Sequence, residues 1–376
     1  MFSTVIIILF FLLNKKINLP IIILYLYHLS FLFISEAYVF RYGGDFIFYE
    51  NYLSNNDNEL TFFFGRNSLL FFLQYLGNYL SAFDLNLLFN FVGFIGIYFL
   101  YQICSNLGLS NLLIISICLI PSLNFFTSSI SKDSFIFTAI MFIIYQTLFF
   151  NFSKNFFSLI FAFSCLLFIR PYIFILILPI YIFSYLIIFT ENKSTLIYFI
   201  LCLIILYFTF FNLNDFFCIL MSQFCEGPNL DTIDGMIKKI ISFGDISNEE
   251  LLGSDYEAKN IPYNIFSYLF FPLQFLELSN LGNGFAIWYG ILESLYLLFI
   301  IYLIFFFKIK HFRKYKLKNI SFLLTFLFIY IVIYLFIFPN VFFNFGLNIR
   351  QKIMIVFPIL IFFLCLKNYF LIKNLK

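Results

Sequence analysis

Long apolar runs cover most of this chain, and only one to three polar or charged residues separate many of them. A helix that crosses a bilayer needs roughly 17–25 mostly apolar residues. Runs near that length fall at 1–13, 18–39, 85–106, 109–125, 134–151, 155–170, 171–190, 195–213, 286–307, 319–338 and 353–367. The pattern predicts an all-α polytopic membrane protein with about eleven transmembrane helices, a single integral membrane domain over 1–376. The runs at 1–13, 109–125 and 353–367 are short for a crossing. No internal repeat is visible, so the inverted-repeat plan of many transporters is not expected.

The breaks between runs orient the chain. Lys15, Lys16, Lys154, Lys193, the run from Lys308 to Lys318, and Lys367, Lys373 and Lys376 fall on one side if the spans alternate. Basic residues in short loops mark the cytoplasmic side. Nearly all Asp and Glu fall opposite, apart from Glu191 and Glu293. The expected N-terminus is outside and the C-terminus cytoplasmic. Met1 to Leu13 lacks a basic start and a small-residue cleavage site, so it reads as a first helix and not as a removable signal. Two long outer loops follow, 40–84 and 214–285. The first ends in Arg66 to Phe83, which suits an interfacial helix, and the second turns apolar again at Ile261 to Leu276.

Composition agrees. The chain has 376 residues, is 63% hydrophobic and 11% charged, and its mean hydropathy is +0.99. Soluble domains carry about 25% charged residues, so that class is excluded. Nothing resembles a nucleotide-binding glycine loop or a nucleic-acid surface. The 64 Phe read as lipid-facing and packing residues. His28 and His311 are far apart, and the seven Cys show no paired metal spacing, so no metal site and no cofactor are expected. Cys218 and Cys225 flank an outer segment, either as a pair or as two thiols.

The stretch from Ser128 to Pro171 concentrates the chemistry. Two apolar runs lie between Ser-Ser-Ile-Ser-Lys-Asp and Arg170-Pro171, so Lys132, Asp133 and Arg170 return to one face if both runs cross. Charges at membrane depth are costly and tend to mark function. Ser129 or Ser131 is a helix cap by type, and Asp133 suits the helix dipole; Lys132 opposes it and fits better beside a bound anion. Lys132, Arg170, Arg350 and Lys352 all stand at outer ends of apolar runs, where a phosphate or pyrophosphate would meet them. Asp45, after Arg41-Tyr42-Gly43-Gly44, is a candidate base toward a sugar hydroxyl, with Tyr49 and Tyr52 as candidate sugar contacts. Asp84 is placed as a cap, the acids of 226–257 as a solvated loop, Trp288 and Tyr289 as interface anchors, and Glu293 as an acid inside a span.

Asp45 with its tyrosines, Ser131-Lys132-Asp133, Arg170-Pro171 and Asn344-x-Gly346-x-x-x-Arg350-Gln351-Lys352 together resemble the Wzy-type O-antigen or capsule repeat-unit polymerases and EpsG-like proteins. Those are similar in layout to GT-C membrane glycosyltransferases. The resemblance implies a bacterial inner-membrane enzyme that polymerises undecaprenyl-pyrophosphate-linked repeat units at the outer face. It implies a lipid-linked glycan as substrate and a chain-length regulator as partner. Asp45 and Asp133 would then be catalytic, and Arg41, Lys132, Arg170, Arg350 and Lys352 would meet the pyrophosphate. The first outer loop has no paired acids of the GT-C kind, which speaks against a metal. A transferase adding one sugar from a polyprenyl-phosphate donor is an alternative, and a lipid flippase is another. A His-dependent acyltransferase ranks last, since neither His lies on the expected active face.

Overall fold

A computed structural model describes residues 2–14, 17–42, 66–149, 152–190, 265, 268–269, 284–306, 317–341 and 345–374. Among these residues all long elements are helices, twelve in number: α1 Phe2–Leu13, α2 Leu19–Tyr42, α3 Arg66–Gly77, α4 Ala82–Asn106, α5 Asn111–Cys118, α6 Pro121–Thr127, α7 Lys132–Leu148, α8 Phe152–Ile169, α9 Pro171–Phe189, α10 Gly284–Phe306, α11 Leu317–Val341 and α12 Phe345–Asn374. Four stretches are long and apolar enough to cross a membrane: Leu19–Ala37, Ala82–Asn106, Leu317–Phe336 and Lys352–Leu371. A fifth is counted if α6 and α7 are taken as one bent span, and α1, α3, α8, α9 and α10 contain shorter apolar helices. The chain is a helical membrane protein. The expected run at 195–213 and most of the loop 214–285 lie outside the described residues.

The chain divides into two compact units, and the first change between them falls at Pro179 inside α9. Among the described residues, the first unit holds those up to 178 together with 317–319. Its centre is α4. Ser81 caps this helix, accepting from the Asp84 backbone N–H at 3.2 Å and donating to the Asp84 carboxylate at 3.1 Å. Asp84 is therefore the acid of a reciprocal cap, with Ser81 in the cap position. Helices α1 and α4 run parallel: Ser3 donates to the Asp84 carbonyl at 2.7 Å, and Asn14 to the Tyr98 hydroxyl at 3.0 Å. Helix α2 runs the other way. Asn18 meets Tyr101 at one end and Glu36 meets Asn86 at the other. The outward faces of α1, α2 and α8 carry Phe2, Ile8, Leu12, Ile23, Leu26, Phe157 and Phe161, the apolar surface that lipid requires.

The most extensive packing in this unit is α4 against α7. Gly96 makes it possible, and Gly93 one helical turn earlier admits the end of α6. A Cβ at Gly93 would overlap the carbonyl oxygen of Thr127. One at Gly96 would lie 2.6 Å from Phe137 Cδ1 and 2.8 Å from Thr138 Oγ1. Small residues let membrane helices approach closely where no hydrophobic effect drives them together. Thr138 uses the closeness, donating to the Val92 carbonyl at 2.6 Å. Helix α3 lays Leu69, Leu70 and Leu73 onto Leu85 and Phe89 of α4 and onto Ile130, and turns Phe71, Phe72 and Tyr75 outward. It ends at Gly77, short of the expected Phe83.

One expected span is corrected. The run 109–125 is not a single helix: α5 stops at Cys118, Pro121 opens α6, and α6 meets α7 at a bend of 117°. Pro121 causes the first break, because it has no N–H to give the preceding turn and is accepted at the first position of a new helix.

The second unit contains α9 from Pro179 onward, α10, α12 and α11 from Ile320. Tyr181 meets Phe322 and Phe326 edge-on, with ring centroids 5.0 Å and 5.4 Å away. Tyr330 donates to the Met354 carbonyl at 3.2 Å, joining α11 to α12, and α12 packs on α10.

Gly93→Ala forces α4 away from the Thr127 carbonyl, a mismatch worth about 1–3 kcal/mol by the usual cost of overpacking. Thermal unfolding of the purified protein in detergent should show a clearly lower midpoint for Gly93→Ala. Leu112→Ala, at a side chain 75% exposed, should move it by no more than ~0.5 kcal/mol equivalent.

Candidate functional site

The turn between α6 and α7, Ser128 to Ser131, is buried along its whole length. A broken helix inside a membrane protein leaves carbonyls and N–H groups that lipid cannot satisfy. The local sequence supplies the missing donors. Ser128 donates to the Phe125 carbonyl at 3.1 Å and Ser131 to the Phe126 carbonyl at 3.0 Å. Ser134 lies 3.2 Å from both the Thr127 and the Ser129 carbonyl oxygens. Asn124 closes the earlier break, donating to the Cys118 and Ile120 carbonyls, each at 2.9 Å. Asn90, from α4, donates to the Ser128 carbonyl at 3.1 Å and to the His28 carbonyl at 3.3 Å. Ser131, one of the two serines that looked like helix caps, is thus spent on a carbonyl. Ser131 stands at the cap position of α7, and its side chain makes no capping hydrogen bond.

His28 anchors the turn from α2. It is fully buried. Its Nδ1 lies 3.0 Å from Asn124 Oδ1 and its Nε2 lies 3.1 Å from the Asn90 carbonyl oxygen. Asn124 gives its amide hydrogens to two carbonyls, so its oxygen faces the ring, and both ring nitrogens meet acceptors. The neutral ring can donate to one of them at a time, and the doubly protonated ring donates to both.

At the mouth of this turn stand the charges. Lys132 and Asp133 form the first turn of α7, and both are buried. Arg170 occupies the one-residue break between α8 and α9. Pro171 follows it, which disfavours helical geometry at Arg170 and ends α8 there. The Arg170 carbonyl then accepts from the N–H groups of Ile173 and Phe174, opening α9. Arg170 Nη2 lies 3.0 Å from Asp133 Oδ1, a pair with side chains only 7% and 3% exposed. Asp133 is therefore more than a complement to a helix dipole: it holds Arg170. With Lys132 included, the three side chains carry a formal charge of +1 at the N-terminus of a 17-residue helix. Positive dipole end, lysine and arginine all favour an anion.

The other expected site residues fall elsewhere. Arg41 is in the last turn of α2 and Arg350 near the start of α12. Asp45, Tyr49 and Tyr52 lie outside the described residues, as does the pair Cys218 and Cys225. Lys352 belongs to the second unit, two turns into α12 and buried. It donates to Ser294 Oγ at 3.0 Å and lies within electrostatic reach of Glu293, both on α10. Glu293 thereby acquires a cationic partner. Sequence reading missed His28, Asn90 and Asn124 as parts of the turn. The available signal was amides and an imidazole inside otherwise apolar runs. Among the described residues no group of three or more His, Cys, Asp and Glu is placed to hold a metal ion.

No protein-family model matches the chain, and neither a curated protein nor a solved structure matches it significantly. The class of protein rests on the fold itself, a helical membrane protein with a buried ion pair beside a broken helix pair.

Removing one member of a buried ion pair strands the other, at a cost of about 3–5 kcal/mol, whereas neutralising both is far milder. Arg170→Met and Asp133→Leu should each lower the detergent unfolding midpoint strongly. Asp133→Leu/Arg170→Met should recover much of the loss, with a coupling energy of about 0.5–3 kcal/mol in the double-mutant cycle. Additive losses would mean that the two side chains do not interact.

Proposed function

We propose that this protein is a bacterial inner-membrane glycosyltransferase that polymerises undecaprenyl-pyrophosphate-linked oligosaccharide units. The observation that supports the reading best is Lys132 buried beside the Asp133–Arg170 pair at the N-terminus of α7. A diphosphate leaving group develops negative charge as the bond from the sugar's anomeric carbon to the phosphate oxygen breaks. Preorganised cations and helix N–H groups stabilise such charge most where water is excluded. The acceptor hydroxyl attacks the anomeric carbon and gives its proton to a carboxylate, while the diphosphate leaves with the bonding electrons. Asp45 of the first outer loop is the proposed base, and Tyr49 and Tyr52 the proposed sugar contacts. Arg41, in the same unit, is a further candidate for the diphosphate. Asp133 has a positioning role in this scheme: it fixes the guanidinium in place and keeps its charge paired when no substrate is bound.

Deletion of the gene should replace long glycan ladders with single-repeat glycans on gels of surface polysaccharide. Lys132→Ala in the restored gene should reproduce the deletion while the protein still reaches the membrane in normal amount. A repeat unit that is itself one sugar short would point to the single-sugar transferase instead, and unchanged ladders in the deletion would end the proposal.

A further inference from the structure

Helix α3 presents two different faces. Leu69, Leu70 and Leu73 are buried in one apolar cluster with Leu85 and Phe89 of α4 and Ile130 of the turn. On the other face Phe72 and Tyr75 stay open, at 40% and 58% exposure, and Phe71 flanks them at 40%. Tyr75 follows Phe72 by three residues and Phe71 by four, so the three rings share one side of the helix. With twelve residues α3 is too short to cross a bilayer. It is a shelf lying beside the ends of longer helices.

That shelf is continuous with the cations. Phe72 meets Phe135 of α7 edge-on, with ring centroids 6.1 Å apart. Phe135 follows Lys132 by three residues, so the two are neighbours on the surface of α7. Ile130, two residues before Lys132, is buried in the α3 cluster. Helix α3 also packs on α8, whose last residue precedes Arg170. It therefore touches both helices whose ends hold the charges. A lipid-borne diphosphate bound at those charges brings its chain with it, and the chain needs an apolar path that begins at the phosphate. The open part of Phe72 begins such a path, and Tyr75 continues it one turn further along α3. Aromatic rings offer large contact areas and lose little side-chain entropy when covered. An isoprenoid chain has double bonds and so fewer free torsions than a saturated chain of equal length. It loses less entropy when laid along a fixed surface.

We infer that the Phe72–Tyr75 face of α3 docks the isoprenoid chain of a lipid-borne diphosphate, with the first units of the chain against Phe72. The inference rests on the diphosphate reading of the cations and adds the residues that select the lipid. The cations hold the head, and α3 makes the type of chain a condition of tight binding.

Calorimetric titration of the full chain in detergent with farnesyl pyrophosphate, dodecyl pyrophosphate and inorganic pyrophosphate tests it. Farnesyl pyrophosphate should bind about tenfold or more tightly than inorganic pyrophosphate, and several-fold more tightly than dodecyl pyrophosphate. Phe72→Ala and Tyr75→Ser should each weaken farnesyl pyrophosphate several-fold and leave inorganic pyrophosphate unchanged. Equal affinity for farnesyl and inorganic pyrophosphate, or farnesyl affinity unchanged in both variants, would overturn the inference and leave the diphosphate reading standing. Equal affinity for the farnesyl and dodecyl compounds would overturn it too, because any apolar chain would then serve. Loss of inorganic pyrophosphate in both variants would mean that α3 supports the turn without meeting the chain. No binding of any of the three to the unaltered protein would overturn the inference together with the reading it rests on.

Discussion

A backbone that turns inside a membrane protein must satisfy its own carbonyls and N–H groups, and the first unit is built around that requirement. The break after Thr127 would strand carbonyls where lipid offers no donor. Ser128, Ser131, Ser134, Asn90 and Asn124 each give a hydrogen to one or more of the carbonyls at the two breaks. Gly93 brings α4 close enough to the Thr127 carbonyl to hold the turn in place, and Ile130 plugs it into the apolar surface of α3 and α4.

The charges depend on that turn. Lys and Asp inside a membrane protein are tolerated when a partner is held in register. Arg170 provides it from a second break, created by Pro171, at the far end of α8. The resulting cluster combines fixed cations, a helix N-terminus and exclusion of water, which suits an anion that sheds part of its hydration. In the second unit, Lys352 with Ser294 and Glu293 follows the same rule of pairing.

Much of this was legible in the sequence at the level of position. The apolar runs located α1, α2, α4 and α7 to α11 within a few residues, because lipid demands long apolar helices and little else produces them, whereas α12 runs well past the expected 353–367 at both ends. The stretch from Ser128 to Pro171 stood out by its charges. The direct pairing of Asp133 with Arg170 did not, since sequence places two residues on one face without giving the reach of their side chains. The fold of 109–127 into two pieces was also hidden. Pro121 was the cue, but a proline inside an apolar run equally well opens or kinks a helix. The polar seam of His28, Asn86, Asn90 and Asn124 was obscured by composition. In a chain with so many Asn, an amide inside an apolar run carries little weight until its partners are seen.

The central claim is that the cations beside the α6–α7 turn bind a lipid-borne diphosphate. Direct binding of farnesyl pyrophosphate to the purified protein, with farnesol as the uncharged control, tests it most directly. Saturable binding of the pyrophosphate, absent for farnesol and weakened about tenfold or more by Lys132→Gln with the fold intact, is the predicted result. Equal binding of the two lipids, or affinity unchanged by Lys132→Gln, would contradict it.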